Sequence, residues 1–126
     1  MGVMFLKVAM YNGSDFKVKY RFYSEEEGGR KYTPHQGYRS DWAYEIEDEL
    51  RLYRIWPTFL DEKGEHFQKY TSVSNSGVAE MTIVVLETKN KLHGSRVKVG
   101  VKGYFMEGSK IVAEAEVIEV TGLNET

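Results

Sequence analysis

The chain contains no cysteine, so disulfide bonds, thiolate zinc sites and a cysteine nucleophile are all excluded. No apolar run approaches the roughly 18 residues that a membrane-spanning helix needs. An excess of either charge is also missing, because 17 basic and 19 acidic residues leave a net charge of -2. Any RNA contact would therefore have to be local. We expect a cytoplasmic protein, since chains without cysteine suit reducing compartments.

Sequence signatures of catalysis are missing as well. The phosphate-binding pattern Gly-x-x-x-x-Gly-Lys-Ser/Thr does not occur, and no nucleophile elbow is present. His35, His66 and His93 are too far apart in the chain to suggest a metal site by their spacing. Acidic runs at 25–27 and 45–49 are typical of a solvated face. We therefore predict that the protein is not an enzyme and holds no metal, nucleotide or other cofactor.

Apolar and polar residues alternate through several short segments, as they do in strands with one buried and one solvated face. The alternation is clear at 16–23, 97–102 and 111–118, and a continuous apolar run at 81–86 is typical of a strand covered on both sides. Glycine-containing turn sequences separate these segments. The pattern predicts an all-β, antiparallel fold, either a small barrel or a sandwich.

We predict a single domain, since 126 residues are enough to build one hydrophobic core. The core of the fold is expected at about 16–120. Residues 1–13 are predicted to add an N-terminal strand, and residues 121–126 are predicted to form a flexible tail.

One segment, 41–53, has two interpretations. Trp42, Ile46, Leu50 and Tyr53 follow the spacing of an amphipathic helix. The first residues of the same segment also alternate as a strand would. The residue pattern by itself leaves both structures open.

A turn with two adjacent glycines gives the chain its most specific pattern. Gly28 and Gly29 can adopt positive φ and so permit a tight reversal after the first hydrophobic strand. Arg30 offers a planar set of donors that can hold turn carbonyls or a carboxylate such as Glu27. Pro34 keeps the following residues extended. The pattern predicts a hairpin followed by a sharp corner.

Three stretches follow one another at this point: Glu26-Glu27-Gly28-Gly29-Arg30, Lys31-Tyr32-Thr33-Pro34 and Gly37-Tyr38-Arg39. Together they resemble the start of the C-terminal β-barrel, or third domain, of bacterial elongation factor Tu and related translational GTPases. Near the end of the chain, Glu107-Gly108-Ser109-Lys110 and the residues up to Ala115 resemble the closing strand of that barrel. There, Ser109 and Lys110 replace a glycine and an arginine, and the middle of the chain at 47–79 matches poorly.

The resemblance implies a closed barrel of about six antiparallel strands. It also aligns 40–44 with an aromatic strand of the family, which favours a strand at the start of 41–53. In the related factors this barrel is not catalytic, and it contacts the neighbouring domains, aminoacyl-tRNA and the nucleotide-exchange factor. We therefore expect a non-catalytic interaction module whose partner is a translation-related protein, or a toxin for which this chain is the antidote.

Exposed aromatic and arginine side chains are the usual anchors of protein interfaces. The chain is mildly acidic and has nine tyrosines, so a protein partner is preferred to a nucleic acid. The candidate contact residues are Arg30, Tyr38, Arg39, Trp42, Trp56 and Tyr70. The other interpretation of the tryptophans is that they fill the interior of the barrel.

RNA or tRNA binding is the alternative function. Basic residues recur along one predicted hairpin, where they could contact phosphates: Lys89, Lys91, His93, Arg96, Lys98 and Lys102. Lys17, Lys19 and Arg21 also line the solvated face of the first strand. Lysines that alternate on an edge strand have a second role, because they prevent pairing with neighbouring sheets. The residues alone leave both roles open.

Overall fold

A computed structural model of the protein describes residues 14–123. The strands are β1 (Phe16–Phe22), β2 (Asp41–Tyr44), β3 (Ile55–Leu60), β4 (Ser76–Ile83), β5 (Lys102–Glu107) and β6 (Lys110–Val120). They form one sheet in the order β2-β5-β6-β1-β4-β3, in which every neighbouring pair is antiparallel. The predicted all-β, antiparallel class is confirmed. The strand predicted at 1–13 lies outside the described residues.

The sheet curls into a half-barrel whose edge strands, β2 and β3, approach each other. Trp42 and Tyr53 exchange backbone hydrogen bonds of 2.9 and 2.8 Å, which join β2 to the residues just before β3. Register shifts in the β1–β6 and β5–β6 pairs mark bulges, which increase the local twist and bend the sheet. The two edges of the sheet are thus linked at this bridge, whereas neighbouring strands within the sheet are joined by ladders of backbone hydrogen bonds.

Aromatic rings fill the inside of the curled sheet. Along β1 the inward residues alternate as the sequence predicts, and Phe16, Val18, Tyr20 and Phe22 are all buried. Phe16 packs edge-on against Trp42, with the ring centres 5.6 Å apart. Edge-to-face pairs of this kind add to the stabilisation that burial of the rings provides. β1 is therefore the central strand of the core.

A helical segment, here called α1, follows β4. Leu86–Thr88 and Gly94–Arg96 have α geometry, and Lys89–His93 between them has the wider π geometry. The hairpin predicted through 89–102 is therefore wrong, and so is the strand predicted at 97–102. The basic residues assigned to that hairpin lie on α1, on the following turn and at the first residue of β5.

The alternation at 97–102 was misleading because its valines have different surroundings. Val97 is buried, whereas Val99 is 67 % exposed in a turn. Gly100, with φ at 97°, reverses the chain before β5 begins. The apolar run at 81–86 is divided in a similar way, because β4 ends at residue 83 and Leu86 is 65 % exposed at the start of α1.

The connection between β2 and β3 is irregular. The strand favoured at the start of 41–53 is confirmed by β2, and the alternative helix does not form in this segment. Ile46 and Leu50 would belong to the buried stripe of that helix, yet they are 80 % and 55 % exposed. Without a surface to cover its apolar stripe, an amphipathic helix loses its main source of stability.

The chain stays attached to the sheet beyond β6. The N–H groups of Thr121 and Gly122 donate to the Asp15 carbonyl at 3.0 and 2.9 Å, and Leu123 is buried. Residues 121–123 of the predicted tail are therefore packed, and 124–126 lie outside the described residues. None of the helical turns between residues 14 and 123 is long and apolar enough to cross a membrane.

Candidate functional site

The stretches that carry the family resemblance meet in one cluster. The Arg30 guanidinium forms an ion pair with Glu107, and the Tyr38 hydroxyl donates a hydrogen bond to the same carboxylate. Arg30 also donates to the Tyr32 carbonyl at 3.0 Å, and its guanidinium lies 5.0 Å from the centre of the Tyr38 ring. The glycine turn, the corner after it and the β5–β6 turn are thereby fastened together.

The charges of this cluster are satisfied within the protein. Burial raises the pKa of Tyr38, and its hydrogen bond to Glu107 raises it further. Burial alone would raise the pKa of Glu107, but hydrogen bonds from Tyr38 and Arg30 outweigh it and hold that pKa below its usual value. Arg30 binds Glu107 and not the expected Glu27, whose carboxylate is held by Arg21 at 3.0 and 3.1 Å. Arg30, which was predicted to contact a partner, therefore forms an ion pair within the chain.

A groove lies between the Tyr38–Arg39 corner and the outer face of β3, and we call it the Arg39 groove. It has a volume of about 310 Å³, and Thr58 and Lys69 contribute to its walls. Within it, the Arg39 guanidinium stacks 4.2 Å from the centre of the Trp56 ring. Three of the predicted partner residues, Tyr38, Arg39 and Trp56, line this one groove.

Strand alternation places Trp56 on the outer face. On β3, Ile55, Pro57 and Phe59 are buried in the core, whereas Trp56 is half-buried on the opposite face. The tryptophan is therefore held by a strand that is anchored from the other side, and it can receive Arg39 without disturbing the core.

The outer edge of β3 is closed to further strands. The Gln36 side chain accepts a hydrogen bond from the Phe59 N–H and donates one to the Phe59 carbonyl, both at 2.9 Å. Pro57 has no N–H to offer to a neighbouring strand. A partner at the Arg39 groove must therefore bind across the face of β3 by side-chain contacts, because it cannot extend the sheet there.

Tyr70, the residue after Lys69, is both strained and exposed. Its φ is 66°, in the left-handed region that glycine favours, and it is 76 % exposed. The Tyr70 N–H donates to the Gln36 carbonyl at 3.1 Å, which helps to hold this conformation. A residue with a side chain loses roughly 1–2 kcal/mol in this region. Strained residues of this kind are concentrated at functional sites.

Trp42 is not available to a partner. It is fully buried, and its ring packs against Phe16, Tyr44 and Phe105. The prediction of Trp42 as a contact residue is therefore wrong, and the interpretation as filling of the interior is correct for this tryptophan. The sequence could not separate it from Trp56, because the curl of the sheet decides which face of each strand is covered.

The basic residues considered for RNA binding do not form a common edge. Lys89 pairs with the buried Asp15 carboxylate at 2.8 Å, and Arg96 pairs with Glu47. The other lysines of the set are exposed, and they are Lys91, Lys98 and Lys102. Two of the five lysines and arginines on which the RNA alternative depended are therefore engaged by carboxylates of the same chain.

The basic residues of β1 are paired as well. Their partners lie opposite them on β6: Lys17 with Glu119 at 3.7 Å, Lys19 with Glu116 at 3.9 Å and Arg21 with Glu114 at 3.4 Å. β1 lies between β6 and β4 in the interior of the sheet, so the edge-protecting role does not apply to it. Exposed cross-strand pairs such as these contribute little to stability.

His93, predicted as a surface or hydrogen-bonding residue, is buried at the end of the π turn of α1. Its Nδ1 lies 2.7 Å from the Tyr44 hydroxyl, and its ring centre lies 4.9 Å from that of Tyr53. Burial, followed by the charge of Arg96, lowers the pKa of His93 to about 4, and the nearby carboxylate of Glu47 opposes this only partly. The ring is therefore neutral at neutral pH and belongs to the core.

Between about pH 7 and pH 4.5, the free energy of unfolding is expected to fall by about 2–3 kcal/mol through His93. In the unfolded chain His93 titrates near its usual pKa of 6.5, and in the folded chain it titrates near 4. As the pH falls through this window, the unfolded state binds a proton that the folded state excludes. The stability associated with the neutral ring is complete above pH 6.5 and is lost as the pH approaches 4.

Urea unfolding of the wild type and of His93→Gln at both pH values checks this expectation. Carboxylates titrate in both proteins and cancel in the comparison. The pH-dependent loss should be smaller in the variant by about 2–3 kcal/mol. A variant that loses as much stability as the wild type would show that other groups cause the effect.

Among residues 14–123, no group of three or more His, Asp or Glu side chains is arranged to hold a metal ion. Compared with known proteins, the chain matches no family model, and no curated protein is significantly similar to it.

Proposed function

We propose that the protein is a non-catalytic interaction module that binds a protein partner through the Arg39 groove. The stack of Arg39 on Trp56 supports this most directly, since it holds a cation and an aromatic ring together on the outside of the sheet. Arginine, tryptophan and tyrosine dominate the binding free energy of protein interfaces. Tyr70 adds a second aromatic group, strained and exposed, next to Lys69 of the same groove.

We also propose that the module is a closed barrel related to the C-terminal barrel of elongation factor Tu. Six antiparallel strands and the bridge between Trp42 and Tyr53 at the two edges support this kinship. The contact of Arg30 with Glu107 joins the two stretches that resemble that family. On this proposal a translation-related protein in the cytoplasm is the first partner to test, and a toxin is the second.

Affinity capture from the native cell extract tests the proposed function. The tagged wild type is expected to recover a stoichiometric protein partner. Arg39→Gln and Trp56→Thr should reduce recovery about ten-fold or more, because truncation of a central anchor costs about 2 kcal/mol or more. Arg51→Gln is the matched control, since Arg51 is exposed and does not line the groove. Equal recovery by all variants, or no recovery by the wild type, would refute the proposal.

The variant Tyr70→Gly separates an effect on partner binding from an effect on the stability of the fold. Glycine adopts a φ near 66° without strain, so thermal unfolding should show an increase in stability of about 0.5–1 kcal/mol. Recovery of the partner should decrease, because an exposed aromatic anchor is lost. Reduced stability together with reduced recovery would point to general damage and would contradict this role for Tyr70.

Nuclease treatment and increasing salt concentration distinguish binding of a protein partner from binding of RNA. Recovery through the Arg39 groove should survive nuclease treatment and weaken only moderately as salt is added. Binding through phosphates would fall steeply as the salt concentration rises. In that case the exposed Lys91, Lys98 and Lys102 would be the residues to replace next.

A further inference from the structure

Three basic side chains and no carboxylate line the Arg39 groove. Arg39, Lys69 and His66 line it, in a protein whose net charge is -2. The Glu80 carboxylate accepts a hydrogen bond from Nε2 of His66 at 2.9 Å, but Glu80 is not part of the lining. The two permanent charges create a local positive potential, which the composition of the chain does not suggest.

Arg39 differs from three other arginines of the fold. Arg21, Arg30 and Arg96 each bind a carboxylate of the same chain. Over residues 14–123 no carboxylate forms an ion pair with Arg39, and its guanidinium carbon lies over the Trp56 ring, 4.2 Å from the ring centre. This contact uses none of the N–H donors in a hydrogen bond and restricts the position of the guanidinium. A guanidinium held in this way suits a bidentate contact with a carboxylate.

We propose that the segment bound in the Arg39 groove is acidic, with an aspartate or glutamate side chain of the partner bound by Arg39 and a further contact to Lys69. This assignment rests on the proposed function and names the chemistry of the partner. A groove of about 310 Å³ accommodates a few side chains and not a whole domain. Because Gln36 and Pro57 close the edge of β3, a short acidic segment lying across the strand is recognised through its side chains.

A carboxylate fits this groove better than a nucleic-acid backbone does. Sites that bind nucleic acid commonly neutralise about six to ten phosphates. The groove offers two permanent cations, Arg39 and Lys69. That number matches one or two carboxylates of a peptide, so an acidic protein segment is the occupant that the charges favour.

The two tryptophan indole N–H signals in the NMR spectrum of the full chain provide the test. Trp56 lies in the groove and Trp42 is fully buried, so one signal reports binding and the other reports the intact core. The probe is a short, terminally blocked peptide of alternating Glu and Leu. Peptides of alternating Gln and Leu and an oligouridylate of the same length serve as comparisons. The Glu peptide is expected to shift the Trp56 signal alone, with an affinity that weakens as salt is added.

Variants identify the residues that bind the peptide. Arg39→Gln should weaken binding of the Glu peptide about ten-fold or more, and Lys69→Gln should weaken it several-fold. Arg51→Gln should have no effect. An unchanged affinity in Arg39→Gln, with the Trp42 signal in place, would overturn the proposal.

The comparison probes give the other decisive results. Equal binding of the Gln peptide, tighter binding of the oligouridylate, or no shift with the Glu peptide at millimolar concentration would each overturn an acidic occupant. Affinity capture remains a separate readout. If capture of the native partner requires Arg39 while the Glu peptide does not bind, the proposed function stands and the acidic assignment falls. If capture is independent of Arg39, the proposed function itself fails.

Discussion

Replacing Asp15 by alanine is expected to lower the free energy of unfolding by about 3–5 kcal/mol. Asp15 is fully buried, and its carboxylate accepts the Ile83 N–H at 2.8 Å and pairs with the Lys89 ammonium at 2.8 Å. Alanine would remove these contacts from a buried N–H and from an ammonium that is largely shielded from water. Leaving a buried charge without its counter-ion costs more than the intact pair contributes.

Asp15 also connects separate parts of the fold through its backbone. Its N–H donates to the Met81 carbonyl at 2.8 Å, and its carbonyl accepts the N–H groups of Thr121 and Gly122. With the side-chain contacts, this single residue joins the start of β1 to β4, to α1 and to the chain after β6. Alanine retains these backbone hydrogen bonds, so the expected loss comes from the side-chain contacts with Ile83 and Lys89 and should reduce the midpoint of a single unfolding transition.

Urea unfolding of Asp15→Ala, Lys89→Met and the double variant measures the coupling between the two charges. The Asp15 substitution should cost less when Lys89 is already methionine, because no ammonium is then left behind. Lys17→Met is the matched control, since its pair with Glu119 is exposed and should contribute no more than about 1 kcal/mol. A loss below about 1 kcal/mol for Asp15→Ala would contradict the expectation.

Alanine at Gly29 is expected to destabilise the fold by about 3 kcal/mol or more. A Cβ atom at Gly29 would lie 2.2 Å from the carbonyl oxygen of Tyr23 and 2.7 Å from the carbonyl carbon. These are backbone atoms of the residue that follows β1, so they cannot rotate away as the end of a flexible side chain can. The turn from Ser24 to Gly29, closed by a hydrogen bond of 2.8 Å, would have to open.

The neighbouring glycine provides the control for this substitution. Gly28 has a φ of 96°, but a Cβ there would meet no atom within 4 Å. Gly28→Ala should therefore cost about 1–2 kcal/mol from backbone strain alone. Equilibrium unfolding of both variants shows whether close packing or positive φ is the reason for glycine at each of the two positions. A larger loss for Gly28→Ala than for Gly29→Ala would reverse this assignment.

Parts of the fold that depend on adjacent residues could be predicted from the sequence. The alternation along β1 placed Phe16, Val18, Tyr20 and Phe22 in the core, where they lie. The glycine turn was also correctly placed, although positive φ is needed at Gly28 and not at its neighbour. The hairpin predicted there is wrong, because β1 and β2 are not paired with each other in the sheet. Alternation failed at 97–102, because a turn can also carry apolar residues at every second position.

The candidate site was predictable only in part. Residue type identified Arg39 and Trp56, but the same reasoning selected Trp42, which is inside the sheet. Arg30 was expected to hold a carboxylate, and it does, but its partner is Glu107, 77 positions further along the chain. Which carboxylate an arginine meets depends on strand order, and a single sequence does not reveal that order.

Neighbouring residues are enough to predict that short antiparallel strands form and where the chain turns after β1, because side-chain alternation and glycine conformation act over short stretches of chain. The folded sheet alone shows which tryptophan is covered, which cations are neutralised within the chain, and that Arg39 lies over Trp56 in a groove. Those outcomes follow from the curl of the sheet, which brings the residues that precede β2 and those that follow β3 together beside the outer face of β3.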